Sequence, residues 1–168
     1  MTSNCHKHMT DLGLFLIRTI VAVVFIYHGG GKLFGWFGGS GLQATAGFMG
    51  KLGIPYPMAG AVLSGSAEFF GGVLLLTGVA ARLAAIPMAF NMAVACLTAH
   101  HGFNGMKGGM EYPLTLGVVL AGLVLTGPGG LSLCRFCPCR CGLCRCGLGG
   151  ETPAAPAGPA GPAAPTSP

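Results

Sequence analysis

Residues Met58 to Val79 read MAGAVLSGSAEFFGGVLLLTGV, an apolar run long enough to cross a bilayer, for which about 20 residues suffice, with one carboxylate, Glu68, at its middle. A carboxylate at that depth is costly unless it is protonated, paired or hydrated. Other segments of the chain must therefore supply its surroundings. At helical spacing Gly60, Ser64, Glu68 and Gly72 recur every fourth residue, so the acid lies on a stripe of small side chains along which a second helix can approach closely. That register turns Glu68 toward protein and away from lipid.

Only 8% of the 168 residues are charged and 52% are hydrophobic, whereas roughly a quarter of a soluble domain is charged. The chain is expected to be an all-α integral membrane protein, a four-helix bundle with spans over about 12–28, 58–79, 82–101 and 111–126. A polar head, residues 1–11, precedes this 12–133 domain. The head does not read as a cleaved leader, because Arg18 interrupts the apolar segment and no small-x-small site precedes Gly29. The first link, Gly29 to Pro57, opens on GGGKLFGWFGG and closes on GIPYP; within it, Leu42 to Leu52 has the composition of a short interfacial helix, and Trp36 suits the headgroup level. The formal charge of +5 comes from scattered residues without interleaved aromatics, so the footprint of a nucleic-acid binder is missing. With four spans, Lys7, Arg82, Arg135, Arg140 and Arg145 share one face and Lys32, Lys51 and Lys107 the other, which puts both termini in the cytoplasm.

Two constellations can carry chemistry. Arg18 and Glu68 lie seven and eleven residues from the same end of their predicted spans, a depth difference of about 6 Å at 1.5 Å per residue, so Arg18 is the expected partner of the acid. The competing reading is a purely structural ion pair or a protonated, hydrogen-bonded carboxyl. At the opposite face His28 ends the first span, His100 and His101 end the third, and Glu111 with Tyr112 opens the fourth. Imidazoles beside a carboxylate can bind a metal, relay protons or hydrogen-bond a quinone headgroup, and such residues also occur at membrane interfaces for structural reasons. His100 and His101 point about 100° apart on a helix, so at most one faces the bundle.

The segments YHGGGKLFGWFGG, AGFMGKLGIP, AEFFGGVLLLTG with Arg82 behind it, HHGF and GGMEYPLTL, in this order and spacing, make the chain from about Asp11 to Leu133 resemble the DoxX family of small four-helix bacterial membrane proteins. The resemblance implies a four-span bundle with Glu68, His28, Glu111 and Tyr112 at the family's recurrent positions. It also implies an association with terminal-oxidase or thiosulfate:quinone oxidoreductase systems. The expected role is a membrane subunit of a thiol-, sulfur- or quinone-linked redox system, embedded in the inner membrane beside redox partners. Metal or ion handling and a scaffold without chemistry are the alternatives. HHGF is shorter than the family's usual histidine-to-glycine-phenylalanine spacing.

The tail departs from the family. Cys134, Cys137, Cys139, Cys141, Cys144 and Cys146, six of the eight cysteines, fall within thirteen residues, before a Pro/Ala/Gly stretch over 147–168 that cannot build a core. The CxxCxCxCxxC spacing resembles metallothionein-type clusters, in which closely spaced thiolates wrap Cu(I) or Zn(II). Acylation near a span end, or no function, are the other readings. Deleting residues 134–146 is expected to lower the copper or zinc that elemental analysis finds in the purified protein. Equal metal in both forms, or none in either, would remove the thiolate-cluster reading.

Overall fold

The computed structural model describes residues 2–133, with side chains from Cys5 onward; the cysteine cluster and the segment 147–168 lie outside the described residues. The described chain is helical without a strand: α1 (Thr2–Phe34), α2 (Gly41–Lys51), α3 (Pro57–Thr77), α4 (Ala81–Thr98) and α5 (Glu111–Thr126), with single 3-10 turns at Trp36–Gly38 and Gly105–Lys107. Three helices are long and apolar enough to cross a membrane: α1 from Cys5, α3 and α4. α5, with 16 residues and a rise of about 24 Å, is apolar but shorter than these three.

α1 packs on α3, α3 on α4, and α4 on α5, while α2 lies against α3 and α1. The shared core contains Val21, Ala22, Phe25, Leu75, Ala85, Met88 and Leu120. α3 and α4 are antiparallel neighbours because the turn between them is only three residues, Gly78 to Ala80. Gly78 holds φ 76, and a β-carbon there would collide with Arg18 Nη1, so this position excludes side chains on two grounds.

α1 runs beyond the predicted 12–28 at both ends, and the glycine run Gly29–Gly31 lies inside the helix where a link was expected. Each glycine weakens a helix by about 1 kcal/mol relative to alanine, but in a bilayer an open backbone costs more than that, so the helix persists. The missing side chains are used for contact. A β-carbon on Gly29 would collide with the backbone N of Phe69, one on Gly72 would stand 2.9 Å from Ile26 Cγ1, and one on Gly65 would stand 2.7 Å from Leu33. The close face of α3 is therefore wider than the stripe every fourth residue. It buries Ala61, Ser64, Gly65, Glu68, Gly71, Gly72 and Leu75, with Gly71 against Met88 of α4.

Toward the opposite end of the bundle from Gly29, two polar side chains of α1 tie down the chain after α5. Arg18, 1% exposed, donates from Nη1 to the carbonyl of Pro128 (2.9 Å) and from Nη2 to that of Leu131 (2.8 Å). The backbone N–H of Gly130 donates to Asp11 Oδ1 at 2.7 Å. The first half of α1 and residues 127–133 thus share one end of the molecule.

Gly29→Ala is expected to destabilise the protein by about 1–3 kcal/mol through overpacking against Phe69. Gly47→Ala, where a β-carbon meets nothing within 4 Å, should leave stability unchanged or slightly raised. Thermal unfolding of both variants in detergent, followed by loss of helical circular dichroism, checks the pair.

Candidate functional site

The continuation of α1 through the glycines places Lys32 one helical turn beyond His28, on the face that meets α3. Its Nζ lies 2.6 Å from Glu68 Oε1 and 3.3 Å from Ser64 Oγ, to both of which it donates. From α4, Asn91 Nδ2 donates to the same carboxylate oxygen at 2.7 Å. Three helices therefore converge on one acid that is 2% exposed, while the lysine side chain remains 30% exposed. Glu68 Oε2 is buried without a hydrogen-bond partner among the described residues.

This arrangement corrects the expected pairing of Glu68 with Arg18. Counted from the ends of their predicted spans, Glu68 and Arg18 stand at similar heights. In the structure Arg18 packs beside Gly78, just beyond the far end of α3, and spends its donors on the carbonyls of residues 128 and 131. The glycines before Lys32 read as the end of a helix, so its approach to Glu68 is not legible in the sequence. Asn91 gave no signal beyond being a polar residue within an apolar span.

The triad floors a cavity of about 290 Å³ that lies among α1, α2, α3, α4 and α5. Its walls are mostly apolar: Val24 and Phe25 from α1, Phe48 and Met49 from α2, Met92, Val94 and Ala95 from α4, and Pro113 and Leu116 from α5. Toward the loops His28, His100 and Tyr112 also line it, with the His28 and Tyr112 rings 6.2 Å apart. Small-molecule sites have this character, apolar walls with a few converging polar groups.

The remaining predicted site residues divide. α4 stops at Thr98, so neither His100 nor His101 lies on a helix. His100 reaches the cavity, and its Nδ1 lies 3.0 Å from the carbonyl of Ala95. A carbonyl only accepts, so Nδ1 carries hydrogen and Nε2 is the nitrogen that can take up a proton. His101 is exposed and does not line the cavity. Glu111 is exposed at the start of α5, with its carboxylate against Gly105. Among the described residues no group of three or more His, Cys, Asp or Glu side chains is placed to share a metal ion.

Removing Lys32 leaves a buried carboxylate uncompensated, a loss of about 3–5 kcal/mol for pairs of this kind. Lys32→Met is expected to lower the thermal midpoint strongly, and adding Glu68→Gln should recover much of it. Arg18→Met and Glu68→Gln should instead combine additively, within about 0.5 kcal/mol. Double-mutant cycles on thermal stability separate the two pairs.

The DoxX family profile matches residues 13–101. A Bacillus subtilis protein named "Putative oxidoreductase CatD" is 30% identical over 126 residues, which cover 75% of this chain and 87% of that protein. The Escherichia coli inner membrane protein YphA is 30% identical over 130 residues, 73% of this chain and 88% of its own length. The inner membrane protein YqjF of the same organism is 29% identical over 136 residues, 77% of this chain and 95% of its own length. No solved structure matches the chain. With three membrane-length helices and relatives of this kind, the chain is a multi-pass inner-membrane protein and belongs to the DoxX family.

Proposed function

We propose that this protein is a four-span membrane subunit of a redox system, with both termini in the cytoplasm, whose Lys32–Glu68–Asn91 pocket binds the headgroup of a lipid-soluble quinone and handles its protons. The observation that carries the reading is a buried carboxylate, held by Lys32 and Asn91 at the floor of an apolar cavity, with one of its oxygens still without a partner among the described residues.

A quinone has two carbonyl oxygens that accept hydrogen bonds and that take up one proton each on reduction. Lys32 and Asn91 are donors suited to the first task, and Glu68 in its protonated form can supply a proton. His28, His100 and Tyr112 stand higher in the same cavity and can bind the second oxygen. The apolar walls suit a ring and the start of a lipid tail. Electrons would come from a partner protein, in keeping with a subunit rather than a complete enzyme. Arg18, His101 and Glu111 have no part in this site; Arg18 instead holds the chain after α5.

The topology is supported by charge. Lys32 is engaged with Glu68, which leaves Lys51 and Lys107 at the loop-rich end. Lys7 and Arg82 stand at the other, where the chain continues toward Arg135, Arg140 and Arg145. That end is assigned to the cytoplasm, where a reduced cluster of Cys134, Cys137, Cys139, Cys141, Cys144 and Cys146 would hold Cu(I) or Zn(II).

Quinone is expected to copurify with the wild-type protein in detergent, measured by extraction and chromatography. Asn91→Leu should retain about tenfold less, the loss of one buried hydrogen bond of about 1.4 kcal/mol. A wild-type preparation without quinone, and without a redox partner in its difference spectrum, would overturn the proposal.

A further inference from the structure

A second cavity, of about 230 Å³, adjoins the first beneath the Trp36–Gly38 turn. It differs in character: Tyr27, His28, Lys32 and Ser40 line it together with Trp36 and glycine backbone. The turn is seated closely over α1, because a β-carbon on Gly39 would collide with Gly31 Cα. Phe37 is held at φ 59, a backbone that side chains disfavour, with its ring stacked 5.0 Å from Tyr27 and its carbonyl accepting from the Tyr27 hydroxyl at 3.3 Å. A water molecule needs about 10–15 Å³ and two to four polar partners, so this vestibule is roomy and polar enough to be wet.

His28 and Lys32 line both cavities. They stand between the polar vestibule and the largely apolar pocket, and Lys32 is the half of the ion pair that stays partly exposed. We infer that Glu68 exchanges its proton with solvent at the loop-rich end of the molecule, through the vestibule, with Lys32 and His28 as the relay. In the inward step the Lys32 ammonium gives one proton to the Glu68 carboxylate across 2.6 Å. The resulting amine regains a proton from hydronium in the vestibule, either directly or through the His28 imidazolium, which the same hydronium then reprotonates, so the net change is one proton moved from solvent to the carboxyl group.

The groups around Glu68 support this direction. α1 presents His28 and Lys32, α4 presents Asn91, and α5 presents Tyr112, with His100 following α4. All are nearer the loop-rich end than Arg18 is. The α2 residues that line the pocket, Thr45, Phe48 and Met49, do not titrate near neutral pH. In the opposite direction, among the described residues, the packed core of Ala22, Leu75 and Met88, none of them exposed, separates Glu68 from the buried polar groups around Arg18.

The inference rests on the reading of Glu68 as a proton-handling group, yet it can be tested without any quinone. Dicyclohexylcarbodiimide modifies carboxyl groups in their protonated form and enters from lipid. Wild-type protein is reconstituted in one orientation in vesicles, and the pH of each compartment is set separately. Labelling of Glu68, read by peptide mass spectrometry with Glu68→Gln as the blank, is expected to rise as the vestibule side is acidified, up to about tenfold per pH unit. It should ignore the pH of the other compartment. Exposed Glu111, at the loop-rich end, reports the pH of the vestibule side on the same sample. Labelling of Glu68 that follows the opposite compartment, both compartments or neither overturns the inference. Failure of quinone to copurify would remove the proposed ligand and leave the labelling result standing.

Discussion

The ion pair between Lys32 and Glu68 is the interaction on which the rest of the molecule depends. An acid at the middle of α3 is tolerable in a bilayer only if a cation and further donors reach it, and the two halves of the pair come from helices that must approach closely for the contact to form. The glycines of α1 and α3 make that approach possible. They remove side chains at Gly29, Gly65 and Gly72, where a β-carbon would meet the facing helix too closely. Packing and electrostatics are therefore one arrangement: close contact between the helices positions the charges, and pairing of the charges makes the buried acid acceptable.

The two ends of the molecule have different duties. At the end where α1 begins, Arg18 and Asp11 bind backbone groups of residues 128–131 and close the molecule against the chain that follows α5. That end is held by hydrogen bonds to backbone carbonyls and to one backbone N–H, groups that any sequence provides. At the other end lie two adjoining cavities, one largely apolar and one polar, with His28 and Lys32 lining both. Chemistry is favoured there because a buried carboxylate stands at a cavity: Glu68 lines it, and its Oε2 lacks a partner among the described residues. A fully satisfied pair would be merely structural.

Family membership is consistent with this picture without supplying a reaction. Relatives from two bacteria align over about three quarters of the chain, and one of them carries an oxidoreductase name. The cysteine-rich tail falls beyond the residues that match the family profile, so any metal chemistry there would be an addition to the common membrane unit.

Much was legible in the sequence because the bilayer allows few solutions. Apolar runs of span length and a scarcity of charge dictate membrane helices, and the small-residue register of α3 correctly turns Glu68 inward. His28 and Tyr112 were recognisable as titratable or hydrogen-bonding groups at span ends, and the structure brings both to the cavity. What remained hidden has two physical causes. Glycine weakens an isolated helix, so GGGK read as a helix end, whereas tertiary contact with Phe69 and the 3-10 turn keeps it helical and carries Lys32 to Glu68. Depth counted along single helices also ignores how they are staggered, which gave Glu68 the wrong cation. The sequence by itself determined that a buried acid must have a partner; only the packing of α1 on α3 and α4 decided that the partners are Lys32 and Asn91, because charges select one another by distance and not by position in the chain.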